Sequence, residues 1–108
     1  MLTLYILRNK IPAKEIEWDS AKNALLKRRR GICFEVIVEA LAREGPIWVK
    51  EHPRPEKYPG QKLLAVSIGG YVFVVPFEET NEKIILKTIY RSRRATRAHR
   101  KSRGKNEG

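Results

Sequence analysis

The chain has one cysteine, Cys33, two histidines, His52 and His99, and one methionine. A lone thiol excludes an intramolecular disulfide and fits a reducing compartment. So few thiols and imidazoles leave no zinc-ligand spacing, and the acids form no cluster of the kind that holds magnesium. No glycine-rich stretch enters a helix, so a phosphate-cradling loop of the nucleotide-hydrolase type is excluded, and no Ser-His-Asp constellation can be written. Long apolar runs are missing too. The opening run, Leu2 to Leu7 with Thr3 inside it, is too short for a signal peptide's apolar region and far short of a membrane span. No cofactor, no metal and no membrane association are expected, and the chain reads as cytoplasmic.

What the chain does have is positive charge. Its 108 residues carry 23 Lys and Arg against 12 Asp and Glu, a net charge of +11. Of this, +7 lies in residues 91–108, where Glu107 is the only acid. Such an excess calls for a polyanionic partner: nucleic acid, an anionic membrane surface or an acidic protein. With 42% hydrophobic residues the chain can bury a modest core. Residues 1–103 read as one domain, with 1–14 an extra N-terminal strand or extension and 104–108 a disordered tail.

Local signals predict the elements. Asp19 stands at an N-cap and Gly31 where a left-handed residue closes a helix, giving a helix over about 20–30 whose last turn, Lys27 to Arg30, complements the helix dipole. Phe34, Ile37, Val38 and Leu41 recur at helical spacing and Gly45-Pro46 stops them, predicting a second helix. Cys33 before it reads as a small packed residue, not a nucleophile. Three prolines make "HPRPEKYPG" a loop. "KLLAVSI", "YVFVVPF" and "KIILKTIY" read as three strands of an antiparallel meander, the first two joined by Gly69-Gly70. Strict alternation in the third puts Ile84, Leu86, Thr88 and Tyr90 on one face and Ile85, Lys87, Ile89 and Arg91 on the other. Either face could take the helices; if the first set packs on them, Lys87 and Arg91 share a cationic floor on the open face. Ser92 caps a last helix from about Arg93 to Ser102, in which Arg93, Arg97 and Arg100 share a face and only Ala95 and Ala98 can pack. The expected fold class is α+β, two N-terminal helices on an antiparallel β-meander with a basic C-terminal helix.

The remaining chemistry is cationic and phenolic. It suits one metal-free reaction, attack of an RNA 2′-hydroxyl on the adjacent phosphate, which needs a base, cations for the transition-state charge and an acid for the leaving oxygen. It suits plain, salt-sensitive nucleic-acid binding equally, and on composition alone binding comes first.

A resemblance reorders these readings. "IEWDSAKNALLKRRRGICFEVIVEAL" is similar to the opening of the BrnT-type toxins: Trp18-Asp19, Lys22-Asn23, then Arg30-Gly31-Ile32-Cys33-Phe34-Glu35. Its continuation resembles the branch with a His-Pro and Lys-Tyr-Pro loop before the sheet and a Ser-Arg-basic-Ala-Thr motif after it, here Ser92 to Thr96. Cys33 replaces the usual Ser, and Arg30 stands where many members have His. The resemblance covers roughly residues 16–97 and implies a RelE/ParE-like fold. It also implies a metal-independent ribonuclease acting as the toxin of a bacterial type II toxin–antitoxin pair, in a heteromeric complex with a ribbon-helix-helix antitoxin. Under it Arg93 and Arg94 are the first catalytic candidates, then Lys57 and Tyr58, with His52 the titrating group. Lys62, Lys87, Arg91, Arg97 and Arg100 are the expected RNA-binding cations. Trp18 is expected in the core and His99 in solvent. The alternative is a non-catalytic basic module that binds nucleic acid or the antitoxin.

Overall fold

The computed structural model describes residues 14–107. In chain order these form β1 (Glu15–Trp18), α1 (Ser20–Arg30), α2 (Phe34–Glu44), β2 (Trp48–Glu51), β3 (Gln61–Ile68), β4 (Tyr71–Glu79), β5 (Lys83–Leu86), β6 (Tyr90–Arg91) and α3 (Arg93–Glu107). All but Lys14 of the expected N-terminal extension, and Gly108, lie outside the described residues. The last helix runs to Glu107, past the expected end near Ser102. No proline interrupts it, and Gly104 costs only about 1 kcal/mol in a helix.

The architecture is α+β, with three helices and a mixed sheet. Strand order is β1-β5-β4-β3-β2, and β6 also pairs with β4. The sheet is not purely antiparallel, because β1 joins its edge parallel to β5, with Ile16 opposite Ile84. Four residues, Glu-Ile-Glu-Trp, carry too little pattern to announce a strand. Ile16 nonetheless drops into the core, 1% exposed, and Glu17 pairs with Lys83 at 2.9 Å. At the far edge β2 adds antiparallel to β3, Trp48 opposite Ala65.

Caps set the helix ends. The Asp19 carboxylate accepts the Lys22 N–H at 2.8 Å, and Gly31 closes α1 at φ 68°. Cys33 makes no side-chain cap for α2. The missing acceptor comes from α1, where Asn23 Oδ1 takes the Phe34 N–H and Asn23 Nδ2 donates to Glu35 Oε1, each at 2.7 Å. That hydrogen bond is the main reason the Glu35 carboxyl sits below its usual range. The core lies between α2 and one sheet face. Phe34, Ile37 and Leu41 pack there with Leu64, Val66, Val75 and Phe77, and Trp18 stacks on Phe34 at 5.6 Å. Each such side chain contributes about 1.5–3 kcal/mol of burial.

The third predicted strand is two. Phe77 pairs with Leu86, but Val74 pairs with Tyr90, so residues 87–89 oppose only Val75 and Pro76. One extra residue makes a bulge. Pro76 explains its position. The Lys87 N–H reaches the Pro76 carbonyl at 2.9 Å, so the missing proline N–H also faces the β5–β6 side, where the ladder is broken anyway. Beyond the bulge the alternation inverts. Ile89 is buried with Ile84 and Leu86, and Tyr90 is exposed, contrary to strict alternation. Lys87 and Arg91 therefore share no floor.

The β3–β4 turn is Gly69-Gly70, at φ 60° and 85°, the two left-handed positions that a two-residue hairpin of this kind demands. Among the described residues no helix is long and apolar enough to cross a membrane, and no three His, Cys, Asp or Glu side chains form a metal-binding group.

Candidate nucleic-acid interface

Helix α3 is tied to β4 by polar contacts. Ser92 Oγ accepts the Ala95 N–H at 3.0 Å, the expected cap, and the Ser92 N–H donates to the Val72 carbonyl at 2.9 Å. Thr96 is 5% exposed; its Oγ1 accepts the Val72 N–H at 2.8 Å and donates to the Ser92 carbonyl at 2.7 Å. This threonine, which a search for apolar packing passes over, sets the helix against the strand.

So placed, α3 turns Arg93, Thr96, Arg97 and Arg100 toward Tyr71 at the start of β4. Together with Arg91 they line a cavity of about 270 Å³. The Arg91 guanidinium lies 4.8 Å and that of Arg100 5.3 Å from the Tyr71 ring centre, cation–π distances that hold like charges near one another. Arg100 is anchored further by Nε and Nη2, which donate to the Gly70 carbonyl at 3.2 and 2.8 Å. No carboxylate is among the described lining residues. Four of the expected cations, Arg91, Arg93, Arg97 and Arg100, thus meet in one place.

The other expected residues lie elsewhere. Arg94 is one helical step from Arg93, about 100° around α3, and lies outside the arginine cavity. It lines a larger groove of about 690 Å³ over the sheet face away from α1 and α2, with Trp48, Leu63, Val74, Tyr90 and His99. His99 is half-buried there rather than in solvent. Lys62 is engaged by Glu79 at 3.3 Å and by Glu51 at 3.9 Å, and Lys87 by Glu78 at 3.4 Å. These lysines answer neighbouring carboxylates at the far end of the sheet.

His52, Lys57 and Tyr58 form a small cluster of their own on the β2–β3 loop. The His52 and Tyr58 rings are 4.5 Å apart, Lys57 Nζ is 5.6 Å from the Tyr58 ring, and His52 Nδ1 accepts the Arg54 N–H at 3.0 Å. This loop enters β3 at Gln61, whereas Tyr71 pairs with Ile68 at its other end. The length of β3 separates the two clusters by roughly 23 Å.

A third depression, about 320 Å³, adjoins the arginine cavity through their shared residue Arg91. Its floor is Ile32, Phe73 and Ile89, and its rim is Arg30, Tyr90 and Arg91. Arg30 Nη1 donates to the Ile89 carbonyl, which fixes the guanidinium at the rim. Tyr90 is 40% exposed, and burial of the remainder raises its pKa.

Reasoning from sequence leaves Tyr71, Tyr90, Arg30 and His99 out of the site. The phenols count there as available chemistry, but only the bulge and the docking of α3 decide which of them meet arginines. Comparison with protein-family models, curated proteins and solved structures finds no match.

Proposed function

We propose that the chain binds and cuts RNA, as the toxin of a bacterial type II toxin–antitoxin pair of the BrnT kind, with the RelE-like arrangement of helices on a sheet and a place in the cytoplasm. The observation that supports this is the convergence of Arg91, Arg93, Arg97 and Arg100 on Tyr71 without a carboxylate among the described lining residues. A guanidinium fork binds two phosphate oxygens and stays charged at every physiological pH, which suits both a bound phosphodiester and its more highly charged transition state. In the proposed reaction the RNA's own 2′-hydroxyl attacks phosphorus without a metal, the arginines hold the non-bridging oxygens, and the 5′-oxygen leaves. The Tyr71 hydroxyl gives its proton to the departing 5′-oxygen and regains one from the attacking 2′-hydroxyl, so the proton balance closes within the cavity. His52, Lys57 and Tyr58, a strand's length away, are too distant for that role. The partner is an acidic ribbon-helix-helix antitoxin that covers the arginines, in keeping with the net charge of +11.

Purified protein with RNA and a chelator should yield ends bearing 2′,3′-cyclic phosphate. Arg93→Ala with Arg97→Ala should lower turnover, and Tyr71→Phe should lower it while leaving RNA affinity intact. Full cleavage by the double arginine variant removes this cavity from the reaction. A second reading, a non-catalytic binding module, is favoured by the lack of a histidine or carboxylate among the described residues lining the arginine cavity. It requires salt-sensitive retention of RNA without product, and no growth arrest on expression.

A further inference from the structure

The depression beside the arginine cavity has a different chemistry from it. Its floor is hydrocarbon, with Ile32 and Ile89 buried and the Phe73 ring half-buried, while planar guanidinium groups and a phenol stand at its rim. Arg91 belongs to both hollows, so a group held in one is a neighbour of a group held in the other. In a nucleotide an anionic phosphate and a flat, largely apolar base stand in that same relation. Bases that are free of a helix stack on aromatic rings and on arginine planes, whereas bases inside a duplex are already stacked and cannot enter a hollow in a protein surface.

We infer that the hollow bounded by Arg30, Phe73, Ile89, Tyr90 and Arg91 is a base-binding subsite for single-stranded RNA, contiguous through Arg91 with the phosphate-binding arginines. The inference rests on the proposed RNA-binding role and narrows its substrate to unpaired strands. Arg30 is the device that preorganises the subsite: tied to the Ile89 carbonyl, its guanidinium is already in place when the base arrives. The half-buried Phe73 ring and the guanidinium planes of Arg30 and Arg91 supply the stacking surfaces, while Tyr90, whose side chain the register sends to the face of the large groove, closes the edge of the hollow.

The test uses the full chain and fluorescence anisotropy with two short 2′-O-methyl probes, which cannot be cut: an oligouridylate and an abasic strand with the same number of phosphates. The base-bearing strand should bind about tenfold more tightly, the range of one stacked base. Phe73→Leu, and separately the charge-conserving Arg30→Lys, should erase that difference while leaving the abasic strand's affinity unchanged; Tyr90→Phe should retain it. A blunt duplex of the oligouridylate with its complement should show no gain over the abasic strand per phosphate. Equal affinity of wild type for the two strands, with Arg93→Ala and Arg97→Ala weakening both, overturns the base subsite and leaves the phosphate site standing. Failure of either strand to bind, or binding indifferent to the arginine variants, overturns both. A loss that is equal for the two strands in Phe73→Leu also overturns the subsite, since it marks the ring as structural.

Discussion

Replacing Thr96 by Val tests how α3 is held. The substitution keeps the branched shape and exchanges a hydroxyl for a methyl group. Val72 is 1% exposed, so when the hydroxyl goes, its N–H loses the 2.8 Å acceptor with no water to replace it. A buried donor left unpaired costs about 1–3 kcal/mol. The new methyl group returns at most about 0.8 kcal/mol of burial. Helix propensities of Thr and Val are close, so nothing else on the helix compensates. The net expectation is a loss of roughly 0.2–2 kcal/mol out of the 5–15 typical of a domain. Urea unfolding should show a lower midpoint with the slope unchanged. Amide exchange should quicken first at Val72 and along α3, because the helix offers the sheet little apolar surface beyond the half-buried Ala95, Ala98 being exposed. Thr96→Ser keeps the hydroxyl and should keep the protection of the Val72 amide. Since α3 carries three of the four clustered arginines, affinity for RNA should fall with its docking. An unchanged midpoint together with an unchanged Val72 exchange rate in Thr96→Val would refute the assignment of Thr96 as the anchor.

Three further outcomes follow from the same geometry. Asn23→Ala removes the acceptor for the Phe34 N–H and should cost about 1–2 kcal/mol in urea unfolding; Asn23→Asp keeps an acceptor but sets it against Glu35, and its penalty should shrink in acid as that pair protonates. The Glu79 carboxyl is held below its ordinary value of 4.5 chiefly by the hydrogen bond from Lys14 and then by that from Lys62, so its stabilising contribution is complete above pH 4.5 and disappears as the pH falls through the lower folded value. Glu79→Gln should accordingly be slightly less stable than wild type at neutral pH, and the two unfolding curves should converge in acid. In RNA titrations Arg93→Ala with Arg97→Ala should reduce the slope of log affinity against log salt by about 0.7 for each phosphate no longer neutralised, whereas Lys62→Ala and Lys87→Ala, whose partners are Glu79 and Glu78, should leave it unchanged.

Features encoded within a few residues were legible. Asp19 and Gly31 bound α1 because a cap and a left-handed glycine are local requirements, and Phe34, Ile37, Val38 and Leu41 mark α2 because a helix repeats its face every turn. Contacts between distant segments were not. The cap of α2 comes from Asn23, a full helix earlier in the chain, so the unsuitable Cys33 gave no warning of how its role was filled. Thr96 looked like one more polar residue on a basic helix until Val72 was placed beside it. The charge told the same divided story. Its excess near the C terminus could be counted, but Arg93 and Arg94, adjacent in the chain, line different hollows. The family resemblance could not separate them, because a motif orders residues along the chain and says nothing of the angle between them.

The bulge at residues 87–89 converts this sequence into this site. If the β4–β5 pairing continued without it, Phe73 would meet Tyr90 and Val72 would meet Arg91. Arg91 would then project from the sheet face away from α1 and α2, on the opposite side from Tyr71, Phe73 and Val75. With one residue added, Phe73 meets Arg91 and Val74 meets Tyr90. Arg91 moves to the face of Tyr71, 4.8 Å from its ring, and Tyr90 to the face of the large groove, at the edge shared with the third depression. The signal was present as Pro76, a residue that an inner strand tolerates only where its missing N–H faces a break in the ladder. A proline in one strand thereby marks where the neighbouring strand changes phase, and that change of phase completes the ring of arginines.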